Sequence, residues 1–304
     1  MKTKTPVKKH DRSYQKIGLM KKVFQVSSSI SPLLGVKIGL HSFLTPKKSS
    51  HKKSSFPSET RTSHKLINNK NVTLYRYNKS VSKVLLIHGW EGAANDFSHF
   101  FEPLAQQGYE VMAIDLPGHG QSAKNQLNAV EAAHIIKELE IKYGPFNAII
   151  AHSFGAFSTG YALSKFSELK NIPFVSIGSP NKLKHILGSF TRLVGFSPLQ
   201  TDYLFSKLEK DLHIRINECE HAKFIKSHAG PTLVVHDKRD AKVPFSVIHE
   251  IKKETMTPDF LLTEGLGHQR ILKDNETITS IINFINQWKD SRAELEMALR
   301  YGLI

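Results

Sequence analysis

Three polar residues in the second half of the chain, Ser153, Asp240 and His268, have the types that nucleophilic catalysis requires. A serine hydroxyl is a weak nucleophile until a base takes its proton, and an imidazole serves as that base when a carboxylate orients it. Ser153 stands in Ala151-His152-Ser153-Phe154-Gly155, between the apolar run Asn147–Ala151 and a helix-like segment, Phe154–Glu168. A sharp strand-to-helix turn there would lift the hydroxyl from a sheet edge, and small neighbours let the backbones approach. The usual pattern is Gly-x-Ser-x-Gly; Ala151 replaces the first glycine, which leaves the turn feasible and the match weaker. An ordinary turn that happens to contain serine is the competing reading. His152 reads as a filler of that turn rather than a second base.

His268 closes Glu264-Gly265-Leu266-Gly267-His268, just after a predicted strand, Phe260–Thr263. Two glycines permit a tight loop that can bring an imidazole back towards the serine. With 16 histidines in the chain, a histidine taken alone is more often a surface or packing residue. Asp240 lies in His236-Asp237-Lys238-Arg239-Asp240-Ala241-Lys242-Val243-Pro244, after the apolar run PTLVVH (231–236). Asp237 competes for the acid role. Asp240 is favoured because it sits further into the loop and is followed by Val-Pro at the next helix. The negative charge that develops during attack on a carbonyl needs two backbone N–H donors. Phe154, next to the serine, is one candidate; Trp90, in His88-Gly89-Trp90-Glu91-Gly92 beyond the run Val84–His88, is the other.

The intervening elements must hold these loops together. VTLYRY (72–77) alternates like a half-buried strand, and VLLIH (84–88) is continuously apolar like a fully buried one. Strands at Glu110–Ile114, Asn147–Ala151 and Pro173–Ile177 then alternate with helices near Asn95–Gln107, Asn128–Tyr143 and Phe154–Glu168. That rhythm predicts an α/β fold with a mostly parallel central sheet flanked by helices. It lapses over about 180–229, where helix-like patches alone appear, and this segment is expected to be a small helical cap. Alternation resumes through PTLVVH, a helix near Phe245–Glu254, Phe260–Thr263 and a helix at Glu276–Lys289. Ser291 and Glu294 have capping-box spacing and could start a last helix through Arg300.

The blocks HGWEG, DLPGHGQS (115–122), AHSFGA, HDKRDAKVP and EGLGHQRIL, in this order and spacing, resemble the signature segments of α/β-hydrolase fold serine hydrolases, the esterases, lipases and thioesterases among them. The resemblance covers roughly residues 71–289. It implies the chain order Ser153, Asp240, His268 for a catalytic triad, a structural role for Asp115 and His119 outside that triad, and a serine rather than an aspartate nucleophile. It also implies hydrolysis of a small-molecule ester or thioester with no cofactor and no metal. C–C bond or lactone hydrolysis by the same triad stays open, as does a non-catalytic binding or membrane-associated role, because the fold alone does not fix function.

Charge separates the front of the chain from the rest. Residues 1–70 hold 16 of the 42 Lys/Arg and, of the 27 acids, Asp11 and Glu59 alone, so the remainder is balanced at 26 against 25. A near-neutral main domain argues against a nucleic-acid partner. Residues 1–66 are expected to be a basic extension with one or two amphipathic helices over 17–44, broken near Ser31-Pro32, and 67–304 the hydrolase domain. The extension reads as a tail, a targeting segment, or an arm that packs on the domain or touches anionic membrane through residues 17–48. No apolar run nears the roughly 18 residues of a membrane span, and no compact signal core precedes a cleavage site. With one cysteine, Cys219, no intramolecular disulfide can form. A cytoplasmic, at most membrane-peripheral, location is expected.

Overall fold

The computed structural model describes Phe24, Val26, Ser27, residues 31–47 and residues 56–300, with side chains to residue 289. In chain order its principal elements are α1 (Pro32–Leu44), β1 (Arg61–Ile67), β2 (Lys70–Tyr77), β3 (Lys83–Ile87), α2 (Ser98–Gln106), β4 (Glu110–Asp115), α3 (Ala129–Tyr143), β5 (Ala148–His152), α4 (Phe154–Lys165) and β6 (Phe174–Ile177). They continue with α5 (Leu183–Val194), α6 (Pro198–Leu212), α7 (His221–Ser227), β7 (Thr232–Asp237), α8 (Ser246–Glu254), β8 (Asp259–Thr263), α9 (Gly267–Arg270) and α10 (Asn275–Arg300). No described helix is long and apolar enough to cross a membrane.

Contacts divide the chain into two units, residues 46–182 with 219–304, and residues 1–45 with 183–218. In the first, eight described strands form one sheet in the order β1-β2-β4-β3-β5-β6-β7-β8. Neighbours from β4 through β8 run parallel, while β1 and β2 pair antiparallel at one edge. Successive residues of a strand face opposite sides, so Val84 and Leu86 join the core beneath α2 and α10 whereas Leu85 and Ile87 join the core beneath α3 and α4. This two-sided burial explains the unbroken apolar run of β3.

Parallel pairing carries a consequence for function. β5, β6, β7 and β8 are adjacent, so the loops leaving their C-terminal ends open on one edge, knitted by Ser153 N–H to Ile177 O, Gly178 N–H to Val235 O and Lys238 N–H to Thr263 O.

The second unit has its own core of Val36 and Leu40 from α1 with Leu187, Leu204, Leu208 and Ile216. Gly39 leaves room for the Phe196 ring there, since a Cβ would lie 2.5 Å from its tip. Ser197 and Gln200 cap α6 reciprocally, and the Gln200 side-chain amide donates to Pro32 O at 3.3 Å.

Three features differ from the sequence expectations. The first concerns the boundary at residue 66 or 67: Arg61–Ile67 is a strand, and the main unit begins at Pro46. β1 exposes every residue but Ser63 and Ile67, so it shows no apolar alternation, and it is held by backbone pairing to β2 across the Asn68-Asn69 turn, both residues at positive φ. Second, the inserted segment is Leu183–Glu218 rather than 180–229, since Asn181 accepts from Ala222 N–H and Ser176 shares a 2.7 Å hydrogen bond with His221, tying α7 to the sheet. Third, α10 runs unbroken to Arg300, with no glycine or proline to stop it, instead of restarting at Ser291. The expected helix over residues 17–30 lies almost wholly outside the described residues.

His221 and His119 are buried, and burial pushes both down from about 6.5 to about 3; His88 beside His119 adds to its shift. A base whose folded pKa lies below its unfolded value leaves the unfolded chain binding more protons, so stability is intact above about pH 6.5 and falls as pH drops towards 3. Urea unfolding is therefore expected to be easier at pH 5 than at pH 7, with each such histidine contributing about 2 kcal/mol of the loss. His221→Gln should shrink the pH 7-to-5 difference by about that much; an unchanged difference would contradict the assignment.

Candidate active site

Ser153 follows β5 and stands at the N-cap position of α4 with φ 52 and ψ −118, a conformation that an L-residue adopts only when its surroundings enforce it. The enforcement is visible in Gly155, where a Cβ would lie 2.4 Å from His88 O and 2.7 Å from Ile87 O. Gly89 is nearly as tight, its Cβ falling 3.0 Å from that of Ser153. Ala151, by contrast, is fully buried in β5, its methyl part of the core beneath α3 and α4. The close approach is at the fifth position of the turn, not the first, which is why alanine is tolerated at residue 151.

The structure brings Ser153, His268 and Asp240 together. His268 Nε2 lies 3.0 Å from Ser153 Oγ, and its Nδ1 lies 2.6 Å from Asp240 Oδ2. The side chains of His268 and Asp240 are 7% and 2% exposed, so water screens the pair little. The other carboxylate oxygen, Asp240 Oδ1, accepts from Lys242 N–H at 2.8 Å and Val243 N–H at 2.9 Å. Burial raises the Asp240 pKa, but the His268 contact and these two N–H groups outweigh it and hold the carboxyl below its usual range. An ionised Asp240 fixes the proton on His268 Nδ1 and leaves Nε2 free to accept from the Ser153 hydroxyl.

Asp237 makes no hydrogen bond to His268; it ties two loops together. Its Oδ2 accepts from Leu266 N–H and the Thr263 hydroxyl, at 2.9 and 2.8 Å, and its Oδ1 accepts from Arg239 N–H at 2.9 Å. Burial again opposes ionisation, and these donors with Gly267 N–H overcome it, holding Asp237 at about 2. One buried carboxylate thus fixes both the loop carrying Asp240 and the Gly265–Gly267 turn, both glycines at positive φ, that delivers His268.

His152 has a defined position that its residue type did not reveal. Its Nε2–H donates to His268 O at 2.9 Å, and the two rings lie 4.6 Å apart. Burial first, then the proximity of His268, pushes His152 down to about 3, so it is neutral and braces the backbone of His268. His88 stands in the sequence only as the start of the segment that carries Trp90. Its Nδ1–H donates to Gly89 O at 2.7 Å and its Nε2 accepts from Leu116 N–H at 3.0 Å, anchoring the loop that carries Trp90.

Trp90 and Phe154, the two expected oxyanion donors, meet edge to face with ring centroids 5.2 Å apart. Phe154 is the first residue of α4, where the N–H has no partner within the helix. Asp115 Oδ1 accepts from Ala94 N–H, and its Oδ2 accepts from Gln121 N–H and the Tyr75 hydroxyl, so it organises the 115–122 loop away from Ser153. No group of three or more metal-binding side chains occurs among the described residues.

The alpha/beta hydrolase fold family matches residues 83–190, which span β3 to α5 and include Ser153. The chain has the α/β-hydrolase fold. Rat ABHD14B, whose name proposes protein-lysine deacylation, is 27% identical over 207 residues, covering 67% of this chain and 83% of its own. Lipase 1 of Psychrobacter immobilis is 24% identical over 225 residues, covering 61% of this chain and 70% of its own. The Pyrococcus furiosus esterase Pf2001 superposes on this chain with a TM-score of 0.58 at 19% identity, across 80% of this chain and 97% of that one, a likeness of fold.

The tight position predicts an asymmetry between the two ends of the nucleophile turn. Gly155→Ala is expected to destabilise the protein by about 1–3 kcal/mol through overpacking against backbone, whereas Ala151→Gly should cost no more than about 1 kcal/mol. Thermal unfolding of the two variants reads the difference. Equal melting temperatures would remove the steric account.

Proposed function

We propose that this protein cleaves a carboxylic ester or thioester by transferring the acyl group to Ser153, with His268 as base and Asp240 as its orienting acid. The hydrogen-bonded series Ser153–His268–Asp240, built on a turn that forces Ser153 to positive φ, carries this reading. Ser153 Oγ attacks the carbonyl carbon while its proton passes to His268 Nε2. The imidazolium so formed is stabilised by ionised Asp240, and the Trp90 and Phe154 N–H groups receive the oxyanion. Collapse breaks the bond to the alkoxide or thiolate, which leaves with the proton from His268. Water then attacks the acyl-enzyme, His268 takes its proton, and release of the carboxylic acid returns that proton to Ser153. An esterase, a lipase and a deacylase name among the similar proteins fits an acyl-transfer reaction, while the acyl chain and leaving group are questions for assay.

A panel of soluble acyl esters and thioesters of graded length tests the assignment. Ser153→Ala and His268→Gln are each expected to lower kcat/KM by about a thousandfold or more on the best substrate. Asp240→Asn should lose far more kcat than Asp237→Asn, because Asp240 touches His268 and Asp237 acts through the loops. Full activity in Ser153→Ala would refute the mechanism. Equal losses in the two aspartate variants would refute the choice of acid.

A further inference from the structure

Ten large apolar side chains are exposed among the described residues, and six of them, Val26, Leu33, Leu34, Leu193, Leu199 and Tyr203, fall in the smaller unit of residues 1–45 and 183–218. That unit is about a quarter of the chain, so the excess is local rather than the scatter normal to any protein surface. Its interior is already filled by Val36, Leu40, Leu187, Leu204 and Leu208, which means the exposed leucines are not the faces that hold the helices together. Leu199 is 75% exposed and Leu33 56%. They belong to neighbouring turns, because Gln200, next to Leu199, donates to the carbonyl of Pro32, next to Leu33.

Basic side chains share the surface of this unit. Lys37 continues the exposed face of α1 beyond Leu33 and Leu34, and Lys184 and Arg192 are exposed on α5. Asp202, beside Tyr203, is an exposed acid at the same place. Upstream, residues 1–23 carry Lys2, Lys4, Lys8, Lys9, Arg12, Lys16, Lys21 and Lys22 against Asp11 alone. Phe24 is buried with its ring 6.3 Å from that of Phe196, in the loop between α5 and α6.

We propose that the α1–α6 surface of the smaller unit docks on an anionic lipid bilayer, with the exposed leucines entering the headgroup boundary and the flanking lysines meeting lipid phosphates. Apolar insertion and basic attraction act together in such binding, and neither alone suffices for stable attachment. A surface of this chemistry would place an acyl-transfer enzyme beside acyl lipids, but the docking does not depend on the reaction at Ser153, and its test reads binding alone.

The experiment is co-sedimentation of the full chain with phosphatidylcholine vesicles, with and without phosphatidylglycerol, at low and high salt. Binding is expected on the anionic vesicles and weakens as salt rises. Leu33→Ser with Leu34→Ser and Leu199→Ser should lower partitioning by about tenfold or more, and Lys37→Gln with Lys184→Gln and Arg192→Gln by a similar factor on anionic vesicles alone. Leu199→Asp by itself, at the most exposed of the three leucines, provides a second variant that folding cannot confound; circular dichroism should match the wild type throughout. Failure to sediment with anionic vesicles, binding indifferent to the leucine variants, or a concentration-dependent dimer that Leu199→Asp dissolves would each overturn the proposal.

Discussion

The geometry around Ser153 depends on a steric constraint, the positive φ of Ser153 where β5 turns into α4, in a turn whose close backbone approach only side-chain-free Gly155 and Gly89 permit. The turn has no slack, since the carbonyls of Ile87 and His88 occupy the space a side chain at residue 155 would need. A relaxed backbone would tip the serine hydroxyl away from His268 and move the Phe154 N–H that the proposed mechanism uses. Both ends of the reacting geometry thus share a single strained residue, and the cost of that strain is borne by the buried strands β3, β5 and β6 on either side.

Around that residue the electrostatics separate positioning from reaction. Asp237 and Asp240 lie three residues apart and both are held ionised against burial, yet their partners differ. Asp240 spends one oxygen on the imidazole and the other on its own loop, whereas Asp237 spends both on backbone and a threonine. His152 stays neutral, and both it and His88 donate to backbone carbonyls. A charged imidazole at residue 152 would disfavour the imidazolium that the proposed proton transfer forms on His268, so its burial serves the chemistry as well as the packing.

Much of this was legible in the residues because the physics is local. An unbroken apolar run such as VLLI reports burial on both faces, and glycines at 265 and 267 report a turn that only they can make. What escaped was held by backbone or by distant partners. β1 has almost no buried side chain, and its one signal was the Asn68-Asn69 pair able to take two positive φ values. The end of the inserted segment was set by Asn181 and Ser176 reaching across sequence to α7, which no window of neighbouring residues contains. His152 looked like a filler because its importance lies in the carbonyl of a residue 116 positions away.

The central claim is that the constraint at Ser153 produces an activated nucleophile. The most direct test is labelling of the native protein with a fluorophosphonate, followed by peptide mapping. Covalent modification of Ser153 that disappears on denaturation and in His268→Gln is the predicted result. A native Ser153 that stays unmodified, or that reacts equally without His268, would contradict it.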